Sequence, residues 1–467
     1  MALTTELIDG WQGKQILVVG DLCTDRYVWG SSSRLSPEAP VPILQIENQT
    51  ESFGMAGNVV SMVHALGGEA RLYARHCGTK TRYMASVLGR DYRQVLRIDS
   101  DRSPAYIRDA PCLVPCGLTS PAYLPPDNDV SWVTKEVGRC DACIVSDYDK
   151  GFCHAELIEA LIQCCAERHV PMIADLPDEN NLPKYDGCQA VKLSVGSIAH
   201  AYRVLDKLLF SNVLLSANRH GMLIWSRPLE VSTIEPTTRN SVDPTGCGDQ
   251  VMAVVGLAMC AGSTWREACE LANAAGGMQA ERLGCSPVSA LELAEELKSI
   301  RVESKILSEG AAVEAVANAR TSGKRVAFTN GCFDLLHPGH MHFLRQAALC
   351  GDFLVVAVNS DKSVRELKGQ GRPAVPCEAR VRTLASLDFV DIVLTMPDQT
   401  PDRLLNLLKP DVLAKGGSTH EIIGQEIVRA YGGKIFQSKL LPGFSSTAIQ
   451  DQITGPCLVP LGMTKFA

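Results

Sequence analysis

The stretch that most constrains this chain is Thr329-Asn330-Gly331-Cys332-Phe333-Asp334-Leu335-Leu336-His337-Pro338-Gly339-His340. It follows Val326-Ala327-Phe328, an apolar run with the character of a buried strand, and precedes Met341 to Leu349, whose apolar residues fall at helical spacing. In a parallel α/β sheet such a strand-to-helix loop lies at the carboxyl ends of the strands. There the free N–H groups and the positive dipole end of the helix favour an anion. Two imidazoles three residues apart, with Pro338 and Gly339 between them, can face one phosphate. A zinc pair would need further ligands, and Cys332 is the one other candidate in the loop. The loop is read as nucleotide-handling, and no metal ligands are assigned.

The pattern continues as strand Phe353 to Val358, Asn359-Ser360-Asp361, helix Glu378 to Leu387, strand Ile392 to Leu394, helix Pro401 to Leu408, strand Val412 to Ala414 and Lys415-Gly416-Gly417. This is a doubly wound unit with polar residues at three predicted strand ends, where ligands bind in that architecture. Lys368-Gly369 and Arg372-Pro373 add positive charge. Gly443-Phe444-Ser445-Ser446-Thr447 precedes another helix and offers hydroxyls and N–H groups to phosphates. Together these residues fit a triphosphate cradle.

A chain of 467 residues is long for one core, so two domains are expected. Its formal charge of -7 and the lack of a basic run argue against nucleic-acid binding. Met1 to Gln15 does not resemble a signal peptide, and no apolar run approaches the roughly 18 residues of a membrane span. A soluble, cytoplasmic protein is expected. The 18 cysteines are scattered and should be mostly reduced and buried. Cys140 and Cys143 run into strand Ile144-Val145 without a second such pair, and are read as structural.

In the first half, Gln15 to Gly20 is a buried strand with Asp21 and Asp25 after it. Two carboxylates there suit the hydroxyls of a polyol, or simply a cap and a surface position. Gly54-Met55-Ala56-Gly57-Asn58 opens a helix; small residues there let a ligand approach, and Asn58 can read a hydroxyl. Strands at Ala142 to Ser146, Pro171 to Ala174, Ala190 to Leu193, Asn212 to Leu215 and Met222 to Trp225, separated by helices such as Ala155 to Arg168, predict a mostly parallel covered sheet. Asp243-Pro244-Thr245-Gly246-Cys247-Gly248-Asp249 then leads into an apolar helix. Successive N–H groups from Gly246 to Gly248 suit a phosphoryl group in flight. Asp249 stands where it could take a proton from a sugar hydroxyl, or merely cap the helix.

Residues 15 to 290 resemble the ribokinase-like sugar kinases. The resemblance rests on Val19-Gly20-Asp21 with Asp25-Arg26-Tyr27, Ser36 to Pro42, Gly54 to Asn58, Ser146-Asp147-Tyr148-Asp149-Lys150-Gly151, Asp243 to Asp249 and Ala272-Asn273-Ala274-Ala275. It implies Asp249 as general base, Gly246, Cys247 and Gly248 as anion hole, Asp21, Asp25, Gly57 and Asn58 facing the sugar, and Asn273 near the adenine. Three departures stand out. Gly196-Ser197-Ile198-Ala199 replaces an Asn-x-x-Glu motif that helps organise magnesium, Leu72 to Thr81 is a short connection, and Leu176-Pro177 replaces Pro-Lys.

The second half resembles the cytidylyltransferase-like nucleotidyltransferases through His337 to His340, Val358 to Asp361, Leu367 to Gly369, Arg372-Pro373, Glu378-Ala379-Arg380, Lys415 to Gly417 and Ser445 to Thr447. Ser418 stands where an acidic residue is usual. The resemblance implies that His337, His340, Lys368 and Lys415 carry catalysis. Thr329, Asn330, Phe333, Asn359, Asp361, Arg372, Ser445, Ser446 and Thr447 would bind nucleotide and phosphates. The two halves in this order are similar to the bifunctional heptose 7-phosphate kinase/heptose 1-phosphate adenylyltransferases.

The implied organisation is a ribokinase-like domain over 1–300, a helical linker over 301–323 and a smaller Rossmann-like nucleotidyltransferase over 324–467. The implied chemistry is ADP-heptose synthesis for lipopolysaccharide core, using ATP and Mg2+, with sugar phosphates as partners and a homodimer formed through the kinase domain. Two alternatives stay open at this point: an inactive kinase-like module fused to an adenylyltransferase, and a CTP-dependent enzyme for another alcohol phosphate. Residues 455–467 have no reading.

Overall fold

The computed structural model describes residues 6–87, 92–101, 135–197, 199–200, 210–217, 220–226, 230–237, 241–417 and 422–438. The chain divides into two units at Lys298/Ser299.

The first unit is built on β1 (Gln15–Ser32), β2 (Gln45–Met55), α1 (Ala56–Ala65), β3 (Glu69–Val87), β4 (Tyr92–Asp101), β5 (Ala142–Ser146), α2 (Ala155–Arg168), β6 (Met172–Leu176), β7 (Ala190–Ser194), β8 (Asn212–Ser216), β9 (Met222–Ser226) and β10 (Glu230–Ile234). The sheet runs β10-β9-β8-β7-β6-β5-β1-β3-β4, with β2 also on β1. From β8 to β3 every pairing is parallel, and β9, β10, β2 and β4 add antiparallel edges. Leu17, Val19, Cys143, Val145, Ala174, Val191 and Val213 form one core layer against Leu157, Ile158 and Leu161 of α2. Continuous apolar runs are what strands covered on both faces require.

The expected strand Gln15 to Gly20 is the first third of a longer one. β1 continues to Ser32, paired on one side with β2 and on the other with β3. The short Leu72 to Thr81 connection has the same origin: β3 runs unbroken through it and pairs with β4. These extensions form a lid sheet. Its strands β2 and β4 escaped the sequence reading because they are mostly exposed and polar, without an alternating apolar pattern.

Two apolar helices follow, α3 (Cys247–Cys260) and α4 (Trp265–Ala280). Thr264 and Glu267 close a reciprocal capping box at the start of α4. The division of the chain falls within α5 (Ala290–Ser304).

The second unit comprises α6 (Glu309–Thr321), β11 (Val326–Gly331), α7 (Pro338–Ala348), β12 (Phe353–Asn359), α8 (Asp361–Lys368), α9 (Cys377–Ala385), β13 (Ile392–Met396), α10 (Asp402–Leu408), β14 (Val412–Gly416), α11 (Gln425–Ala430) and β15 (Lys434–Ser438). Its sheet order is β13-β12-β11-β14-β15, parallel throughout. The segment expected as a linker is in part core. Ala312 and Val316 of α6 pack with Phe328, Val355 and Leu394, and Ile306 bridges Val393 at the sheet edge. Glu314, Asn318 and Arg320 on the outer face of this helix masked its narrow apolar stripe.

All described cysteines are free, and Cys143 is buried within the first core. No helix among the described residues is long and apolar enough to cross a membrane.

Candidate active sites

The kinase-like site forms where α3 meets the carboxyl ends of the strands. Gly246, the N-cap of α3, takes φ 81°, a left-handed conformation that favours glycine. A Cβ there would lie 3.1 Å from Cys285 Sγ and 3.4 Å from Asn58 Nδ2, so the turn needs glycine for space as well. The preceding loop is tied down by Asp243, which accepts from the Thr245 N–H, the Thr245 hydroxyl and the Gly284 N–H.

Asp249 lies in the first turn of α3, 5% exposed. It accepts from Asn58 Nδ2 at 3.0 Å and from the Tyr148 hydroxyl at 3.1 Å. Burial pushes its carboxyl up to about 6, against the lowering by the Asn58 hydrogen bond. A carboxylate tuned near neutrality suits a general base. Beside it, Lys192 Nζ contacts both oxygens of Asp175 at 2.8 and 2.7 Å, and a Cβ on Gly248 would come within 3.0 Å of that ammonium. Burial raises the Asp175 carboxyl and Lys192 opposes it.

A cavity of about 850 Å³ extends from here, lined by Lys192, Ser194, Gly196, Cys247, Gly248 and Asn273 among others. Asn273 borders this cavity, and its amide donates to the Glu235 carbonyl. Gly196 lines the same cavity; Ile198 lies outside the described residues. Cys247 is a neutral thiol, pushed by burial to about 12.

The expected sugar-facing residues divide. Asn58 is at the base. Asp21 spends its oxygens on the N–H groups of Tyr148, Lys150 and Phe152, which shapes the loop carrying Tyr148; burial raises its carboxyl nonetheless. Asp25 is buried in an ion pair with Arg82 of the lid. Gly57 serves packing: the space a Cβ would take is filled by Phe53 and Leu22 at 2.4 and 2.7 Å. Tyr148, Lys192, Asp175, Arg82 and Cys285 were missed as site residues. The Ser146 to Gly151 motif was the available signal for Tyr148; Lys192, Asp175 and Arg82 come together only through the strand order, and Cys285 through the turn after α4.

In the second unit β11 lies between β12 and β14, the point at which strand order reverses and ligands bind. The histidine loop leaves β11 here, and Lys415 is the last residue but one of the neighbouring β14. His337 is the N-cap of α7 with Pro338 after it. The His337 and His340 rings lie 3.9 Å apart. Nδ1 of both, together with Thr329 Oγ1 and Asn330 Oδ1, is buried without a hydrogen-bond partner. Four orphaned polar atoms at one strand end are costly unless a ligand completes them. Burial, then the charge of His337, drives His340 down to about 4, and burial lowers His337. Burial also brings Lys415 down to about 8, with its ammonium 3.3 Å from the Asn330 carbonyl.

The surrounding residues hold this loop. Phe333, at φ 45°, packs its ring 5.6 Å from that of His340. Asp334 accepts from Arg372 and from the Ala374 and Val375 N–H groups; although burial opposes it, the Arg372 hydrogen bond keeps its carboxyl below the usual range. Arg380, missed as a site residue, donates to the Cys332 and Val375 carbonyls and to Asp361. Asn359 donates to Ser363 and Asp398, fixing the strand end. Lys368 ends α8, near enough for its charge to lower His340. Ser418, Ser445, Ser446, Thr447 and the 455–467 tail lie outside the described residues.

Two family profiles match the chain: a pfkB family carbohydrate kinase over residues 189–291 and a Cytidylyltransferase-like protein over 328–452. The bifunctional protein HldE of Vibrio vulnificus is 34% identical over 96% of this chain and 99% of its own length. That of Koribacter versatilis is 33% identical over 94% of this chain and 96% of its own. The chain belongs to the HldE family. It is an enzyme with a carbohydrate kinase and a nucleotidyltransferase in one polypeptide, and the family supports ADP-heptose synthesis over both alternatives left open by the sequence. A solved structure of Escherichia coli phosphofructokinase-2 with potassium aligns at TM-score 0.45 and 13% identity, covering 62% of this chain and 99% of that one.

Proposed function

We propose that both halves of this chain act in sequence. Heptose 7-phosphate is phosphorylated at C1 by ATP, and the resulting 1-phosphate is adenylylated by a second ATP to give ADP-heptose and pyrophosphate. Asp249 carries this reading: a buried carboxylate held by Asn58 and Tyr148 at a glycine-lined helix N-terminus. It takes the proton of the C1 hydroxyl as that oxygen bonds to the γ-phosphorus. The bond to the bridging oxygen breaks, and ADP leaves. The N–H groups of Gly246 to Gly248 face the transferring phosphoryl group, with Lys192 behind them.

The second step needs no base, because the sugar 1-phosphate is already an anion. Its oxygen attacks the α-phosphorus of ATP in line and pyrophosphate leaves. His337, His340, Lys368 and Lys415 offset the charge between α- and β-phosphates, and Thr329 and Ser446 orient oxygens.

Among the described residues no cluster of three or more His, Cys, Asp or Glu could hold a metal ion, and Asp175 and Asp361 are committed to Lys192 and Arg380. These residues fit magnesium brought in on the triphosphate, where it would neutralise phosphate charge, rather than a resident ion. We further assign the protein to the cytoplasm, where ATP and sugar phosphates are available. We also propose a homodimer formed through the lid, whose Ile46 and Leu96 stand 64% and 52% exposed.

The test is ATP turnover by the full chain with heptose 7-phosphate, beside pyrophosphate release with heptose 1-phosphate. Both proceed if the reading is correct. Pyrophosphate release alone would leave the first half a binding module. Sedimentation at micromolar concentration tests the dimer.

A further inference from the structure

Resting on the kinase reading, we propose that Lys80 of the lid holds the phosphate that the acceptor sugar already carries. Lys80 lies on the outer part of β3, in register between Asp25 of β1 and Asp99 of β4. Both carboxylates are already taken. Asp25 is paired with Arg82, and Asp99 receives two hydrogen bonds from Arg97, at 2.7 and 2.6 Å.

The other lysines and the lid arginine near this site are likewise matched among the described residues: Arg82 with Asp25, Lys150 with Asp101, Lys184 with Asp147 and Lys192 with Asp175. Lys80 alone of these has no carboxylate. Its ammonium instead sits over the ring of Tyr148, 5.1 Å from the centroid. The thiols beside it offer no anion, since burial raises Cys23 and pushes Cys77 up to about 11.

Tyr148 fixes the distance that matters. Its hydroxyl is on Asp249 and its face is under Lys80, so one aromatic ring separates the base from the uncompensated cation. A sugar whose reacting hydroxyl meets Asp249 lies along that ring and presents its far end to Lys80. An acceptor without charge at the far end would leave the half-buried ammonium unpaired, whereas a phosphomonoester completes it. The flexible stem lets the ammonium follow the phosphate as the lid settles. The structure thus gives the site a means to prefer a phosphorylated acceptor over the free sugar.

Titration calorimetry on the full-length protein tests this, with heptose 7-phosphate and the same heptose without phosphate as probes, for wild type, Lys80→Met and Lys80→Arg. Lys80→Met is expected to weaken binding of the 7-phosphate by about 10- to 100-fold and to leave the free sugar unchanged. Lys80→Arg keeps most of the affinity. In turnover the methionine variant raises KM for the phosphorylated sugar with little change in kcat. Equal loss for both sugars, or no loss for either, overturns the assignment. If the wild type discriminates through Lys80 but transfers no phosphate, the kinase reading fails and the Lys80 assignment stands. If the wild type phosphorylates heptose 7-phosphate and Lys80→Met does so equally well, the reverse holds. A wild type that binds neither sugar overturns both.

Discussion

Asn58, at the start of α1, donates its amide to Asp249, at the start of α3, across 3.0 Å and 191 positions of sequence. The bond aims the carboxylate and favours its charged form. Replacing Asp249 by Asn is expected to lower kinase turnover by about 10²- to 10⁴-fold while pyrophosphate release with heptose 1-phosphate continues. Coupled assays of the two half-reactions on one preparation read this directly.

Because the Asp249 carboxyl sits at about 6 and must be ionised to act, kinase kcat/KM should rise with pH and level off above that value. The Tyr148 hydroxyl donates to the carboxylate, so it stabilises the ionised form. Tyr148→Phe should therefore move the acid limb to higher pH. A pH profile of the variant that matches the wild type would remove Tyr148 from the tuning of the base.

His340 at about 4, and His337 also lowered, are neutral rings at pH 7. Triphosphate against them favours the charged form, so ATP binding near pH 6 should take up protons, visible as a dependence of the calorimetric heat on the buffer's ionisation enthalpy. Folding has the opposite linkage. The unfolded chain protonates first as pH falls from 6.5 towards 4, so the second unit should lose stability across that window and regain it above 6.5. His340→Asn should remove most of both effects and stop adenylyl transfer.

Lys192 and Asp175 form an ion pair whose side chains are 4% and 14% exposed. Lys192→Met strands a buried carboxylate and should destabilise the first unit by about 3–5 kcal/mol, read as an earlier urea transition. Adding Asp175→Asn should return part of that loss, because the stranded charge is then gone. The single variant should also slow phosphoryl transfer, since the ammonium lies against Gly248.

Local chemistry in the chain determined a good deal. Continuous apolar strands alternating with helices specified two sheets with parallel cores, since only strands covered on both faces carry such runs. The Gly246 to Asp249 turn and the His337 to His340 loop stood out as candidate phosphate sites because a helix N-terminus and its glycines or imidazoles are contiguous in sequence. The lid strands were not legible, for a half-exposed polar strand has no periodic apolar signal. The second unit's claim on α6 was hidden by the charged outer face of that helix.

Pairing across the sheet lay beyond any local pattern. Lys192 meets Asp175 because β6 and β7 are neighbours, Arg82 meets Asp25 because β1 and β3 are, and Tyr148 reaches Asp249 because the loop after β5 folds over α3. Which charges are cancelled and which, like that of Lys80, are left for a ligand depends on distances of a few ångströms between residues far apart in sequence. Sequence supplied the reactive groups; tertiary structure set their partners and thereby their charge states.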